Sequence, residues 1–248
     1  QTMLHNDDLA RRRRLPLCQD TGTILFWVRV PPGAVTQTAW RQAAESAIAA
    51  ATAEGVLRQN CVETLSGRNT GNNLGYGSPV IHWHEEDRDD VEVALVLKGG
   101  GCENVGAQYA LPDSRLDAGR DLDGVRRCAL DAVVRAQGQG CAPGVLGIAI
   151  GGDRATGYAE SKEILLRRLG ERSPAPELAR LEERILDDAN RLDIGPMGFG
   201  GTTTLLDVFI GARCRVPASY FVSISYMCWA FRRRRVLTAA DGEPRRWL

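Results

Sequence analysis

The chain has 248 residues, 44% of them hydrophobic, which is enough to bury a sizeable core. Its 31 basic residues balance 31 acidic ones, so no global field draws it toward nucleic acid or an anionic lipid surface. No apolar run reaches the length of a membrane span and no charged-then-apolar leader opens the chain, so a soluble, cytoplasmic protein is expected.

The opening "QTMLHNDDLARR" reads as part of a helix, with further sequence expected before Gln1. The stretch "LPLCQDTGT" follows, placing Cys18 beside Gln19 and Asp20 at the mouth of the apolar strand "TILFWVRV", which a Pro-Pro-Gly turn at Pro31 to Gly33 closes. Trp40, Ala44, Ala47, Ile48 and Ala51 then recur at helical spacing, ended near Gly55. A polar, glycine-rich loop, "SGRNTGNNLGYGSP", leads into "VIHWHEE" and "VEVALVLK", expected as a hairpin or a neighbouring pair of strands across the acidic turn "EDRDD". His82 and His84 share a face of the first strand; a metal pair is conceivable there, but their Trp and Glu neighbours suit a half-exposed strand.

"KGGGCEN" at Lys98 to Asn104 ends the second strand, and a helix with Leu122, Val125, Ala129 and Ala132 on one face comes after it. "GCAPGVLGIAIGG" is a second cysteine loop opening an apolar strand. Beyond it lie a helix around "ESKEILLRR", an amphipathic helix carrying Leu178, Leu181, Ile185 and Leu192, the loop "GPMGFGGTTT", and the strands "LLDVFIGAR" and "SYFVSISYMC". There is no internal repeat or low-complexity linker. The expectation is an α/β fold, a mixed single domain over residues 1–248 whose unusual residues sit in loops at strand ends. The runs Arg11 to Arg14 and Arg232 to Arg235 lack interleaved stacking aromatics and are expected to be solvated faces or subunit contacts rather than grips on nucleic acid.

Seven cysteines at long spacing, without a CxxC pair, argue against a disulfide framework and a zinc ribbon. Most suit buried packing. Three have distinctive settings: Cys18 and Cys141 lie in turns that launch strands, and Cys228 closes "FVSISYM". Spacing alone defines no site for them, and Asp-Thr-Gly by itself is ordinary turn chemistry.

Taken in order, "LCQDTGT", "RNTGNN", "KGGGCEN", "ESKEILL", "GPMGFGGTTTLLDV" and "PASYFVSISYMCWAFRR" resemble the alpha subunit, or N-terminal domain, of the iron-sulfur-dependent class I fumarate hydratase and L(+)-tartrate dehydratase family. The resemblance runs from residue 15 to residue 233. It implies a 4Fe-4S cluster held by Cys18, Cys141 and Cys228, with one iron left open to act as a Lewis acid rather than an electron carrier. It further implies that Gln19 and Asp20 contact substrate, with Asp20 in a catalytic role, and that Gly101 brings backbone close to it. The reaction implied is reversible hydration of a small dicarboxylate, fumarate to malate being favoured over L(+)-tartrate or mesaconate chemistry. The base that takes the C3 proton is attributed in the family to a beta subunit or C-terminal domain. Nothing after Cys228 is long enough to supply one, so a partner and a hetero- or homo-oligomer are expected.

Two positions depart from the family pattern. Val216 stands where a histidine commonly precedes "PAS", which weakens carboxylate recognition unless a neighbour such as Arg215 substitutes, and Ala142 replaces the first of two prolines after Cys141. Cys102 is expected to be a spare thiol, because a fourth ligand would close the open iron. A different class, a non-catalytic iron-sulfur sensor or structural subunit, would instead carry a fully ligated cluster.

Overall fold

The structure is a computed structural model that describes residues 1–33, 36–239 and 244–247, apart from the side chains of 244 and 245. In chain order its elements are α1 (Thr2–Arg13), β1 (Thr23–Val30), α2 (Gln37–Ala53), β2 (Val80–Glu85), β3 (Val91–Lys98), α3 (Gly100–Asn104), β4 (Ala107–Ala110) and α4 (Leu122–Ala136). They continue with β5 (Gly144–Ile150), α5 (Arg154–Glu163), α6 (Pro176–Asn190), β6 (Leu205–Ala212), β7 (Phe221–Met227), β8 (Arg232–Thr238) and β9 (Pro244–Trp247). The mixture of helices and mixed sheets is the expected α/β class. Two compact units form, one from Gln1–Gly100 with Ala230–Leu248 and the other from Gly101–Trp229.

The first unit is built on a sheet of order β2-β1-β3-β8-β9. β1 buries Ile24, Leu25, Trp27, Val28 and Val30 and takes a hydrogen-bonded neighbour on each edge, parallel to β2 from Leu25↔Val80 and antiparallel to β3 from Thr23↔Lys98. β2 and β3 therefore form neither the hairpin nor the neighbouring pair that their short acidic connection suggests. β1 buries five of its eight residues and lies between β2 and β3, while β3 is itself paired on both edges, by β1 and β8. Arg88, bonded to Asp90 Oδ1 at 2.6 Å, fixes the connection that passes around it. His82 stacks on Trp27 at 5.0 Å between ring centres.

The run Arg232 to Arg235 is strand, not a solvated face. β8 pairs antiparallel with β3 from Leu97↔Arg232 to Val91↔Thr238, and Arg235 shares Glu92 Oε1 with Arg29 at 3.5 and 2.8 Å. Arg11 and Arg12, by contrast, stay on the surface of α1 beside Asp7 and Asp8. α2 begins where the Thr36 hydroxyl accepts from the Ala39 N–H and ends before Gly55, whose φ of +76° terminates the spiral.

The second unit has a sheet of order β4-β7-β5-β6, with β5 parallel to β6 and antiparallel to β7. Every residue of β5 is buried. Val125, Ala129 and Ala132 of α4 and Leu181 and Ile185 of α6 pack on the face made by Leu146, Ile148 and Ile224. Leu192 lies beyond the end of α6, and the helix expected over "ESKEILLRR" stops at Glu163 and tightens into a 3-10 turn over Ile164–Leu166. Fully buried Glu182 on α6 accepts from Arg167 Nη1 at 2.5 Å, Ser173 N at 2.9 Å and Ile210 N at 2.7 Å, so α6, the 167–173 segment and β6 meet on one carboxylate. Among the described residues no helix is long and apolar enough to cross a membrane.

Candidate active site

The loop carrying Cys18, Gln19 and Asp20 is fixed from several directions within the first unit. Asn6 of α1 donates to Leu17 O at 2.8 Å and Arg232 Nη1 donates to Cys18 O at 3.3 Å. Thr21 Oγ1 accepts from Arg58 N at 3.0 Å. Gly22 has φ +59°, and a Cβ there would stand 2.1 Å from Lys98 O, so only glycine lets the loop press onto the end of β3, where Lys98 is buried. Cys18 is half-buried and Gln19 exposed.

Asp20 is the organising group. Its Oδ1 accepts from Gly22 N at 3.1 Å and Asn60 Nδ2 at 3.2 Å, and its Oδ2 accepts from Gly100 N at 2.8 Å. A carboxylate offers about four acceptor positions, so these donors leave one on Oδ2. The carboxylate lies in the wall of a cavity of about 310 Å³ shared with Thr23, Asn60, Asn73 and Ser78, at the small end of the range for small-molecule sites, roughly 300–1,000 Å³. Asn60 and Asn73 are the functional candidates that the sequence reading passed over. "RNTGNN" covers Asn73 but not Asn60, and nothing local marks an asparagine whose partners lie far away in the chain. A neighbouring cavity of about 620 Å³ is lined by Cys61, Glu63, Arg68 and Tyr76.

The second unit brings Cys141 and Cys228 together. Trp229 N, directly after Cys228, donates to Cys141 O at 3.4 Å, and Cys141 N donates to Gly138 O at 3.0 Å. Cys141 has φ +57°, a conformation costing a non-glycine residue about 1–2 kcal/mol, which persists where the surroundings over-determine it. The loop "GPMGFGG" supplies part of that constraint: Met197 N donates to Ala142 O at 2.9 Å, and a Cβ at Gly138 would strike Met197 O. This loop accordingly buttresses the Cys141 turn and does more than join α6 to β6. Ala142, in place of proline, is fully buried.

Tyr226 wedges between the two ends of this turn, where a Cβ on Gly140 or Gly144 would collide with its ring. Burial pushes its phenol well above the ordinary value, and the nearby thiols of Cys102, Cys228 and Cys141 add to the rise. Cys102 is buried with its sulfur 3.9 Å from Gly140 O, so the spare thiol packs against the same turn. Gly101 sits just before it, where a Cβ would lie 3.2 Å from Gln139 O. Two further motif residues meet here, as Lys162 of "ESK" pairs with Glu103 of "GCEN". Arg215, next to Val216, donates from Nη1 to the carbonyls of Val216, Pro217 and Ser219, and its guanidinium lies 4.7 Å over the Tyr220 ring.

None of the seven cysteines is in a disulfide. Among the described residues no group of three or more His, Cys, Asp or Glu side chains is already gathered for a metal ion. The donor chemistry nevertheless suits an iron-sulfur group. Within the second unit Cys141 and Cys228 carry soft sulfur donors on a turn and a strand end joined by one hydrogen bond, and within the first unit Cys18 carries the same kind of donor on a tethered loop.

The fumarate hydratase (fumerase) family matches residues 1–237. A Geobacillus stearothermophilus protein provisionally named as a class I fumarate hydratase is 49% identical over 251 residues, covering all of this chain and 49% of that protein. The alpha subunit of L(+)-tartrate dehydratase from Escherichia coli strain K12 is 35% identical over 245 residues, 97% of this chain and 78% of that subunit. The chain thus spans about half the length of the first of these relatives and most of the second.

Proposed function

Because the chain belongs to the fumarate hydratase (fumerase) family, we propose that it is the cluster-carrying, alpha-type part of a hydro-lyase that reversibly adds water to a small dicarboxylate, with fumarate and malate as the favoured pair. The observation that supports this best is Asp20, two residues from Cys18, with its carboxylate fixed by three donors in the wall of a small cavity. In this reading residues 1–248 work as one alpha-type domain in the cytoplasm. A beta subunit or C-terminal domain completes the site within a hetero- or homo-oligomer.

Cys18, Cys141 and Cys228 would hold a 4Fe-4S cluster, whose open iron supplies Lewis-acid chemistry at substrate hydroxyl and carboxylate oxygens. The exposed amide of Gln19 donates to a substrate oxygen, and the remaining acceptor position on Asp20 Oδ2 takes the hydrogen of the substrate hydroxyl. With its other positions occupied, Asp20 orients the hydroxyl and leaves removal of the C3 proton to a base on the partner. Gly101 lets backbone approach the substrate. Val216 removes one polar contact to a carboxylate, and this keeps L(+)-tartrate and mesaconate among the substrates to be compared.

The test is anaerobic reconstitution with iron and sulfide, electron paramagnetic resonance before and after mild oxidation, and turnover of fumarate, L(+)-tartrate and mesaconate with a supplied partner subunit. The expected result is a cluster that readily loses one iron and fastest turnover with fumarate. A chain that binds no cluster overturns the reading outright, and a cluster that resists loss of iron in a chain that turns over no diacid overturns it in favour of a structural or sensing iron-sulfur protein.

A further inference from the structure

We propose that Asn73 is a positioning residue for Asp20 and acts through Asn60. The inference rests on Asp20 as the substrate-facing carboxylate. Asn73 is 3% exposed and has φ +63°, a conformation asparagine tolerates better than most residues. Its side chain is spent entirely inside the protein. Oδ1 accepts from Asn60 N at 2.7 Å and Cys61 N at 3.1 Å, while Nδ2 donates to Thr52 Oγ1 at 2.9 Å and Arg58 O at 2.8 Å. Thr52 Oγ1 in turn donates to Ile48 O at 2.7 Å, which roots the clamp in α2.

A clamp with these partners does one specific thing: it fixes the 58–61 segment, and that segment carries the Asn60 amide to Asp20 Oδ1. Asp20 has two other donors, both backbone N–H groups of Gly22 and Gly100. Asn60 is the only side chain among the described bonds that sets the rotation of the carboxylate, and hence where the open position on Oδ2 points. Misplacing such a group by about 1 Å costs on the order of 100-fold in rate while leaving substrate affinity largely alone.

The experiment uses the reconstituted full chain with its partner and two variants. Asn73→Gly removes the amide but keeps the positive φ, and Asn60→Ala removes the last link. Each is expected to lower kcat by about 10- to 100-fold with KM changed less than about threefold and iron content unchanged. The double variant is expected to be no slower than the slower single one. Hydrogen exchange at the Gly22 and Gly100 amides, read on the full chain without substrate, is expected to quicken in both variants. A purely structural Asn73 would loosen only the Asn60 and Cys61 amides. Unchanged exchange at Gly22 and Gly100, or losses that multiply in the double variant, overturns the proposal. Should Asn73→Gly fail to accumulate, Asn60→Ala and Asn73→Asp carry the same exchange measurement. Faster exchange in a protein that hydrates no diacid would uphold the positioning and sink the reading of Asp20 as substrate contact.

Discussion

Single residues divide sharply into those that announce themselves and those that do not. Cys18, Gln19 and Asp20 raise a question by standing together in a strand-opening turn, but Asp-Thr-Gly is ordinary turn chemistry and only the ordered motifs suggest a role for them. Cys141 and Cys228 stand out only through the company of whole motifs. Asn60 and Asn73 stay silent: their partners are 40 and 21 residues away, and an asparagine in a glycine-rich loop looks the same whether it caps a turn or clamps a segment. The assignment of ligands is tested directly by serine substitution. Cys18→Ser, Cys141→Ser and Cys228→Ser are each expected to lose cluster iron, because a hydroxyl is too hard a ligand, whereas Cys61→Ser retains it. Iron analysis after anaerobic reconstitution checks this, and full iron content in any of the first three removes that cysteine from the set.

At the scale of elements, periodicity located α2, α4, α6 and the long apolar strands, since each buries a stripe of matching period. It misjudged partnership and polarity. The pairing of β2 and β3 on either side of β1 rests on a comparison among strands that no single segment contains. β8 was hidden because four consecutive arginines oppose any apolar pattern; the strand exists through its pairing with β3 and through Glu92, which takes charge from both Arg29 and Arg235. The carboxylate of Glu182 is likewise a meeting point of elements. Glu182→Ala is expected to destabilise the protein by about 3–5 kcal/mol, because it leaves Arg167 and two backbone N–H groups without their acceptor. Urea unfolding midpoints give the difference, and a change below about 1 kcal/mol would show that the cluster of bonds is dispensable.

Across the whole molecule, stability is tied to pH through groups buried in the second unit. Burial pushes the Cys128 thiol from 9.0 up to about 12, with nearby Asp113 and Asp131 adding to the rise. Tyr109 is raised by burial and by its bond to Asp131, and Tyr226 by burial. In the unfolded chain these groups ionise near their ordinary values, whereas the fold keeps them protonated. Their contribution is thus complete below about pH 9 and declines as pH rises toward 12. The denaturation midpoint is expected to hold steady from about pH 7 to 8.5 and then to fall, with a later onset in Cys128→Ala, governed by the tyrosines. A midpoint that stays level to about pH 10.5 would contradict this.

The path of the chain also sets a timetable for its synthesis. β3 is finished just before Gly100, yet its partner β8 and the arginine that holds the Cys18 carbonyl are translated only after all of Gly101–Trp229. On the ribosome, then, the first cysteine loop waits with its anchor unmade while one edge of β3 stays open to other strands. The Cys18 carbonyl gains its Arg232 donor late, when β8 is made, and the nascent protein is most exposed to mispairing in the interval before that.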